Sequence, residues 1–341
     1  MERQAIEGAQ LTTKLAAGFA GLLACACASG ASAADSTPER GTFSLLFEND
    51  IFYRTDRDYT NGVELSYTTA APDTPKLFVD IAHWLPFFSP SGKVRASYAL
   101  GQSIYTPSHL NLSNPPLTDR PYAGFLYGGI GLSDDTGEKL DQIDLQVGII
   151  GPSSLAADTQ IFVHKILNDR EPQGWHTQLR GEPAIVLTYS RNAKLIPRQS
   201  IAGLFIDLEP HYGAAVGNVY DYVNAGAMAR IGFNIPDDYG PLRIEPSLPG
   251  SGSFQSTGDI GGYIFVGVDG RAIARNLFLD GNTWESSRHV DKNILVGDFE
   301  FGAALTFNFM QISFTHVIRT KEYKTQTAAD QFGAVNVSFH F

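Results

Sequence analysis

Cysteine is nearly absent. The 341 residues hold two, Cys25 and Cys27, both close to the N-terminus. Charge is also scarce: 18% of the residues, with 36 acids against 25 Lys and Arg, a formal balance of −11. That excludes a basic face for nucleic acid. Outside residues 1–34 no apolar run approaches the ~20 residues that a spanning helix needs, which excludes a polytopic helical membrane protein. Disorder is excluded by the opposite kind of evidence, since 43% of residues are hydrophobic and 22 are Phe and 14 Tyr. A soluble β-rich domain or a membrane β-barrel remains.

Residues 1–33 have the pattern of an export signal, leaving 34–341 as a single domain. Arg3 and Lys14 precede Leu15-Ala-Ala-Gly-Phe-Ala-Gly-Leu-Leu-Ala24, and Ala31-Ser-Ala33 is an A-x-A cleavage pattern that places the cut before Ala34. Acylation of Cys25 after Leu22-Leu-Ala24 is the competing reading of this stretch. The signal removes two acids and two bases, so the exported chain stays at 23 − 34 = −11. It also removes both cysteines, leaving no disulfide, no thiolate nucleophile and no Cys metal ligand. The destination lies beyond the bacterial inner membrane.

The exported chain alternates with period two. Val335, Val337, Phe339 and Phe341 share one face, and Asn336, Ser338 and His340 the other. A last strand closed by Phe341 resembles the assembly signal of outer-membrane barrels. Phe43, Leu45 and Phe47 alternate with Ser44 and Glu48. Val63, Leu65 and Tyr67 alternate with Glu64, Ser66 and Thr68. In a sandwich the apolar face would be core, whereas in a barrel it would meet lipid. The signal, the missing thiols and the aromatic strand ends favour an all-β, transmembrane antiparallel β-barrel. Twelve strands are expected, near 42–50, 59–70, 94–105, 122–133, 139–151, 182–191, 200–217, 219–234, 262–275, 294–308, 309–320 and 331–341. Residues 154–168 instead have helical spacing, with Ser154 placed to cap, and 236–261, rich in Gly, Pro and Ser, form loops.

Polar groups that could do chemistry collect at strand ends. Phe47-Glu-Asn-Asp-Ile-Phe52 and Thr55-Asp-Arg-Asp-Tyr-Thr-Asn-Gly62 offer oxygens of the kind Ca²⁺ prefers, although an Asx-rich hairpin loop has the same composition. Strand parity puts Thr60 with Glu64 and Ser66, and Asp50 with Ser44 and Glu48, so both are expected to face the lumen. His164 lies on the loop helix. It is a structural His unless the helix folds against the rim that carries Asp50, where a His–carboxylate pair would act on water. No G-x-S-x-G marks a serine hydrolase, and no H-E-x-x-H or Cys cluster marks a zinc site.

Together these stretches resemble the lipid A 3′-O-deacylase family of outer-membrane enzymes. The resemblance continues through Gln102-Ser-Ile-Tyr-Thr-Pro107, Asp119-Arg-Pro-Tyr-Ala-Gly124, Gly148-Ile-Ile-Gly-Pro152, His164, Gly174-Trp175 and Gln178. It ends with Arg275-Asn-Leu-Phe-Leu-Asp-Gly-Asn282, Val296-Gly-Asp298 and Phe339–Phe341, so it covers essentially the whole exported chain. It implies a twelve-stranded barrel with its site at the outer-leaflet end, between the wall and a loop helix. The implied reaction is Ca²⁺-dependent hydrolysis of the 3′ acyloxyacyl ester of lipid A, the lipid of lipopolysaccharide. Asn49, Asp50, Thr60 and His164 would be the catalytic set. Arg120, Tyr105 and Gln102 would hold substrate, and Asp50, Asp169 and Glu171 the metal. Two departures stand out. Arg170 occupies a position where some members carry an acid, and Ser108 to Thr118 holds no Lys or Arg where some carry a pair. An esterase or phospholipase acting on another outer-membrane lipid, and a non-catalytic pore, are the alternatives. No nucleic acid partner is expected, and a closed barrel is expected to be a monomer.

Overall fold

The computed structural model describes residues 39–50, 57–168, 170–201, 203–244, 252–255 and 260–340. The expected signal segment, both cysteines, Asp169 and Phe341 lie outside the described residues. Alternation drives nearly everything that is described. The strands are β1 (Thr42–Asn49), β2 (Asp58–Thr68), β3 (Lys93–Thr106), β4 (Ala123–Asp135), β5 (Lys139–Ile150), β6 (Glu182–Ala193) and β7 (Ile196–Ile201). They continue as β8 (Leu204–Gly217), β9 (Tyr220–Phe233), β10 (Ile260–Asn276), β11 (Leu295–Phe307), β12 (Met310–Arg319) and β13 (Asp330–His340). Three α-helical segments interrupt them: α1 (Lys76–Ala82), α2 (Ala156–Leu167) and the single turn α3 (Leu277–Asp280). No described helix is long and apolar enough to cross a membrane.

Every neighbouring pair is antiparallel. β1 pairs with β13, and β6 pairs with β8, which closes the sheet. β6 and β7 follow one another along β8, joined where the Leu195 amide donates to the Leu208 carbonyl at 3.0 Å. They are one stave broken by an irregularity, so the thirteen segments make a closed barrel of twelve. The expected strand 200–217 is corrected here: Gly203, at φ +86, takes a left-handed turn inside it, ending β7 and starting β8.

Leu65, Leu100, Ile130, Val147, Ile185 and Ile264 stand exposed on the outside, as a lipid-facing wall requires. The inside is filled. Next to the rim bearing the long loops, Tyr59, Tyr105, Phe125, Tyr127, Tyr220 and Phe278 pack into a plug. Beside it Arg319 and Arg271 share Asp298, and toward the chain-end rim Arg230 is gripped by Asp207, Glu209 and Asp238. The loop after β9 is irregular in its described parts, as expected, but it folds into the lumen. Arg243 there donates to Glu48 at 2.7 Å and to Glu300 at 2.9 Å, and Leu242 and Ile244 pack on Leu46 and Ala334. A polar cavity of about 100 Å³, lined by Glu64, Ser66, Gln142, Asp144 and Thr188 among others, remains beside this loop.

Candidate functional site

The loop from β5 to β6 carries α2 back against the outside of β3 and β4. Gly124 makes this possible. It sits on the outward face of β4, and a Cβ there would come within 2.1 Å of Ser154 Oγ and 2.2 Å of the Ala156 Cβ. Gln102, outward on β3, donates to the Ser154 carbonyl at 2.6 Å. Ser154 does not cap the helix as expected. Its hydroxyl donates to the Gly151 carbonyl at 2.6 Å in the turn before α2, and Leu155, at φ +60, occupies the N-cap without a side-chain cap.

The face of α2 turned to the wall is its polar one. Ala156, Gln160 and His164, spaced by four, are buried, while Phe162, Val163 and Ile166 are exposed. Ile104, Tyr122, Ala156 and Trp175 form the cluster beneath. Trp175 Nε1 donates to Gln160 Oε1 at 2.8 Å, one turn before His164, and its ring lies 4.8 Å from that of Tyr122. His164 Nδ1 lies 2.6 Å from the carbonyl oxygen of Arg170. A carbonyl can only accept, so Nδ1 carries the proton.

The wall opposite is irregular where it matters. β2 pairs in one register up to Tyr59 and in another from Asn61, so Thr60 is the extra residue of a bulge. Its hydroxyl meets that of Thr106 at 2.6 Å. By alternation Thr106 belongs with Gln102 and Ile104 on the outside of β3. The expected inward orientation of Thr60 is therefore corrected: the bulge turns the residue to the outer side, and Tyr59 takes the inward place in the aromatic plug. Asn49, opposite Asn61 in register, is likewise outward by alternation with Phe47 and Leu45. Asp50 lies past the end of β1, with its Oδ2 accepting the Arg57 amide at 2.7 Å. All four residues of the expected catalytic set are buried at this one rim. Asn49 and Thr60 are buried although the outer wall here would otherwise meet lipid.

The expected substrate residues are placed differently. Gln102 holds the start of α2. Tyr105 is in the aromatic plug, its hydroxyl 2.7 Å from that of Tyr220 and its ring stacked 4.0 Å from Phe278. Arg120 is wholly buried and donates to Glu322 at 3.0 Å, with Asp58 at 3.9 Å. Burial opposes its charge, but Glu322 and Asp58 outweigh that and raise its pKa above the ordinary arginine value. Neighbouring Asp119 accepts from the Ser108 amide at 2.8 Å and the Tyr323 hydroxyl at 2.8 Å. This motif thus ties three loops together and meets no open groove.

The expected metal donors are described only in part. Among the described residues no group of three or more His, Cys, Asp or Glu could hold a metal ion. Glu171 is exposed beside Lys165 at 3.5 Å, and Asp50 accepts a backbone amide. Of the expected donors, Asp50 and Glu171 are described and Asp169 is not. Sequence reasoning missed the clamp of Gln160 on Trp175, the hydroxyl of Thr106 and the packing role of Gly124. The signal for the last was a glycine closing a motif at the start of a strand.

Comparison with known proteins agrees with this architecture. A family model described as outer membrane protein LpxR matches residues 19–341. Among solved structures, LpxR from Salmonella typhimurium aligns with a TM-score of 0.72 at 20% identity, covering 88% of this chain and 100% of that one. The β-domain of the Bordetella autotransporter BrkA aligns at 0.44 with 8% identity, covering 89% and 100%. The translocator domain of NalP from Neisseria meningitidis aligns at 0.37 with 9% identity, covering 98% and 97%. At such scores neither bears on the site. No curated protein matches the sequence. With a family match over nearly the whole chain, this barrel is a protein of the bacterial outer membrane and belongs to the LpxR family.

Proposed function

We propose that the protein is an outer-membrane hydrolase that releases the 3′-linked acyloxyacyl group of lipid A, with His164 as the general base. The observation that carries this reading is the setting of His164. It is buried with Gln160 on one stripe of a helix, against the outside of the barrel wall, while Phe162, Val163 and Ile166 are exposed beside Asp158 and Lys165. A base in that place serves a substrate arriving from the lipid, not from the lumen. With Nδ1 donating to the Arg170 carbonyl, Nε2 is the basic nitrogen of the neutral ring. It takes a proton from water as the water oxygen bonds to the ester carbonyl carbon. The oxyanion that forms is met by donors from the rim, the Asn49 amide and the Thr60 hydroxyl. Collapse breaks the bond to the sugar oxygen, which leaves with the proton held on the imidazolium, and the acid is released. A divalent cation, when bound, supplies charge for the oxyanion.

The test is mass spectrometry of lipid A incubated with refolded protein, with Ca²⁺ and with a chelator. Loss of the 3′ acyloxyacyl mass is expected. The variant His164→Ala should fold and lose ~10²–10⁴-fold in rate; undiminished turnover by that variant sinks the mechanism. Loss of activity on chelation would support the metal, and full activity in chelator would remove it. A second reading, an esterase acting on another lipid of this membrane, is favoured by one observation. Ser108 to Thr118 carries no Lys or Arg, and buried Arg120 is committed to Glu322. Fatty acid released from purified phospholipid but not from lipid A would establish it.

A further inference from the structure

The connection from β2 to β3, residues 69–92, lies on the rim that carries the chain ends, where barrels usually make short turns. It does not hang free. Ala82 and Phe88, with half-buried Phe78, Leu85 and Phe87, close on Val94, Ala96 and Leu132. Alternation puts Val94 and Ala96 on the same side as Tyr98 and Leu100, and Leu132 with Ile130, which is the lipid-facing side. α1 therefore packs on the outside of the wall. The last outward residues of this wall are polar, and the same segment covers them. Asp134 Oδ2 accepts the Ser89 amide at 2.5 Å. Arg191 bonds Asp141 at 2.6 and 2.9 Å and also donates to the Phe87 carbonyl at 3.2 Å. The level of α1 is thus the level at which the outer face changes from apolar to charged.

Going round the helix at about 100° per residue, Phe78, Ala82 and Leu85 face the wall. Leu77, Ile81 and Trp84 adjoin them on one side and half-buried Val79 on the other, and Lys76, Asp80 and His83 complete the circle. The helical turn reaches Leu85 through amide bonds from Trp84 and Leu85 to the Ile81 and Ala82 carbonyls, both at 3.0 Å. Leu77 is 66% exposed, Ile81 43% and Trp84 89%. Lys76 and Asp80 pair with each other at 2.7 Å on the remaining side.

We propose that α1 and Trp84 form an in-plane membrane anchor, with Leu77, Ile81 and Trp84 inserted into the phospholipid leaflet that borders the chain-end rim. Lipid is the occupant because the helix is seated on the wall's own apolar band: Phe78 meets Tyr98 ring to ring at 6.1 Å, and Leu100 and Ile130 follow Tyr98 on the same outward face. The charged arc turns away from the wall, as it does on a helix lying between hydrocarbon and water. An exposed Trp beside the last apolar rung matches the aromatic belt of the interface. The anchor fixes the depth at which the barrel sits, and hence the height of the α2 site relative to the opposite leaflet.

The experiment uses the three tryptophans. Trp284→Phe removes the exposed one at the loop rim, leaving Trp84 and buried Trp175; Trp84→Phe in that background gives the Trp175 signal to subtract. Both variants are refolded into phosphatidylcholine vesicles brominated at different depths along the acyl chains, and heat-modifiable gel mobility confirms the barrel. Shallow bromines should remove about half of the Trp84 emission, and deep ones clearly less. Unquenched, water-like emission would place α1 in water and overturn the proposal. Blue-shifted but unquenched emission would mean that protein, a second copy or a partner, covers the stripe. Quenching that peaks at the chain termini would put it in the hydrocarbon core; either result also overturns the proposal.

Discussion

Gly124 has no side chain because α2 lies directly on it, with Ser154 and Ala156 occupying the place of a Cβ. Gly124→Ala must push the helix start away from β4. A displacement of ~1 Å costs on the order of 10²-fold in a positioned reaction. The variant is expected to lose activity on lipid A while its barrel keeps native gel mobility and melting; unchanged activity would show that α2 tolerates the shift. Thr60 teaches a related lesson. Its hydroxyl is legible in the sequence, but the direction of that hydroxyl depends on a one-residue bulge between Tyr59 and Asn61, and period-two counting cannot see a bulge. Glu39, just before β1, gives a pH test. Burial pushes its carboxyl up, but the charge and hydrogen bond of Arg95, the Ala71 amide and Lys93 outweigh that and hold it below the ordinary 4.5. A depressed carboxyl stabilises the fold above 4.5 and loses that contribution as pH falls through its lowered value. Glu39→Gln should therefore lower the urea midpoint slightly at pH 7 and leave it unchanged in strong acid; an equal effect at both pH values would refute the linkage.

At the scale of elements, α2 reverses the usual pattern. Its polar stripe of Gln160 and His164 is buried and its apolar stripe of Phe162 and Ile166 is exposed. Helical spacing was readable from the sequence, but which stripe faces inward was not. A lipid environment inverts the rule that apolar residues turn toward protein. The Trp175 indole on Gln160 fixes the helix one turn from His164. Trp175→Phe keeps a six-membered aromatic ring but removes the indole N–H and the packing of its five-membered ring, so the hydrogen bond to Gln160 is lost at about 1 kcal/mol. Faster proteolysis within 151–181, with the wall intact, is the expected outcome. The loop after β9 is the second element whose composition misleads. Its Gly, Pro and Ser suggest an idle connection, yet Arg243 within it is the counter-charge for Glu48 and Glu300. Arg243→Met removes the guanidinium that Glu48 and Glu300 share, on the order of 3 kcal/mol for breaking a buried ion pair, so a clearly lower urea midpoint in vesicles is expected. A midpoint equal to that of the unaltered protein would show that the pair is not needed.

For the whole molecule the filled lumen decides between a channel and a closed scaffold. The aromatic plug, the shared Asp298 and the inserted loop occupy the axis along which ions would pass. In planar bilayers the protein is expected to show no steady conductance, and open-channel steps would contradict this filling. The two sides of the wall are also used differently. At the loop rim α2 and its neighbours bury outward residues of β3 and β4. At the chain-end rim α1 buries outward residues beside the leaflet.

The sequence by itself determined the twelve-stranded wall and the location in the membrane. Alternation over ten or more residues leaves a strand few other ways to satisfy both lipid and interior, and the strands fall within a few residues of their expected ends. Motif resemblance singled out Asn49, Asp50, Thr60 and His164, and all four are buried toward the loop rim. Only the tertiary structure decided that Thr60 faces outward and that Arg120 and Tyr105 are interior supports. It alone showed α2 leaning on Gly124. These features depend on contacts between residues far apart in the chain, set by a bulge, a missing Cβ and an inserted loop, and none of them leaves a periodic trace.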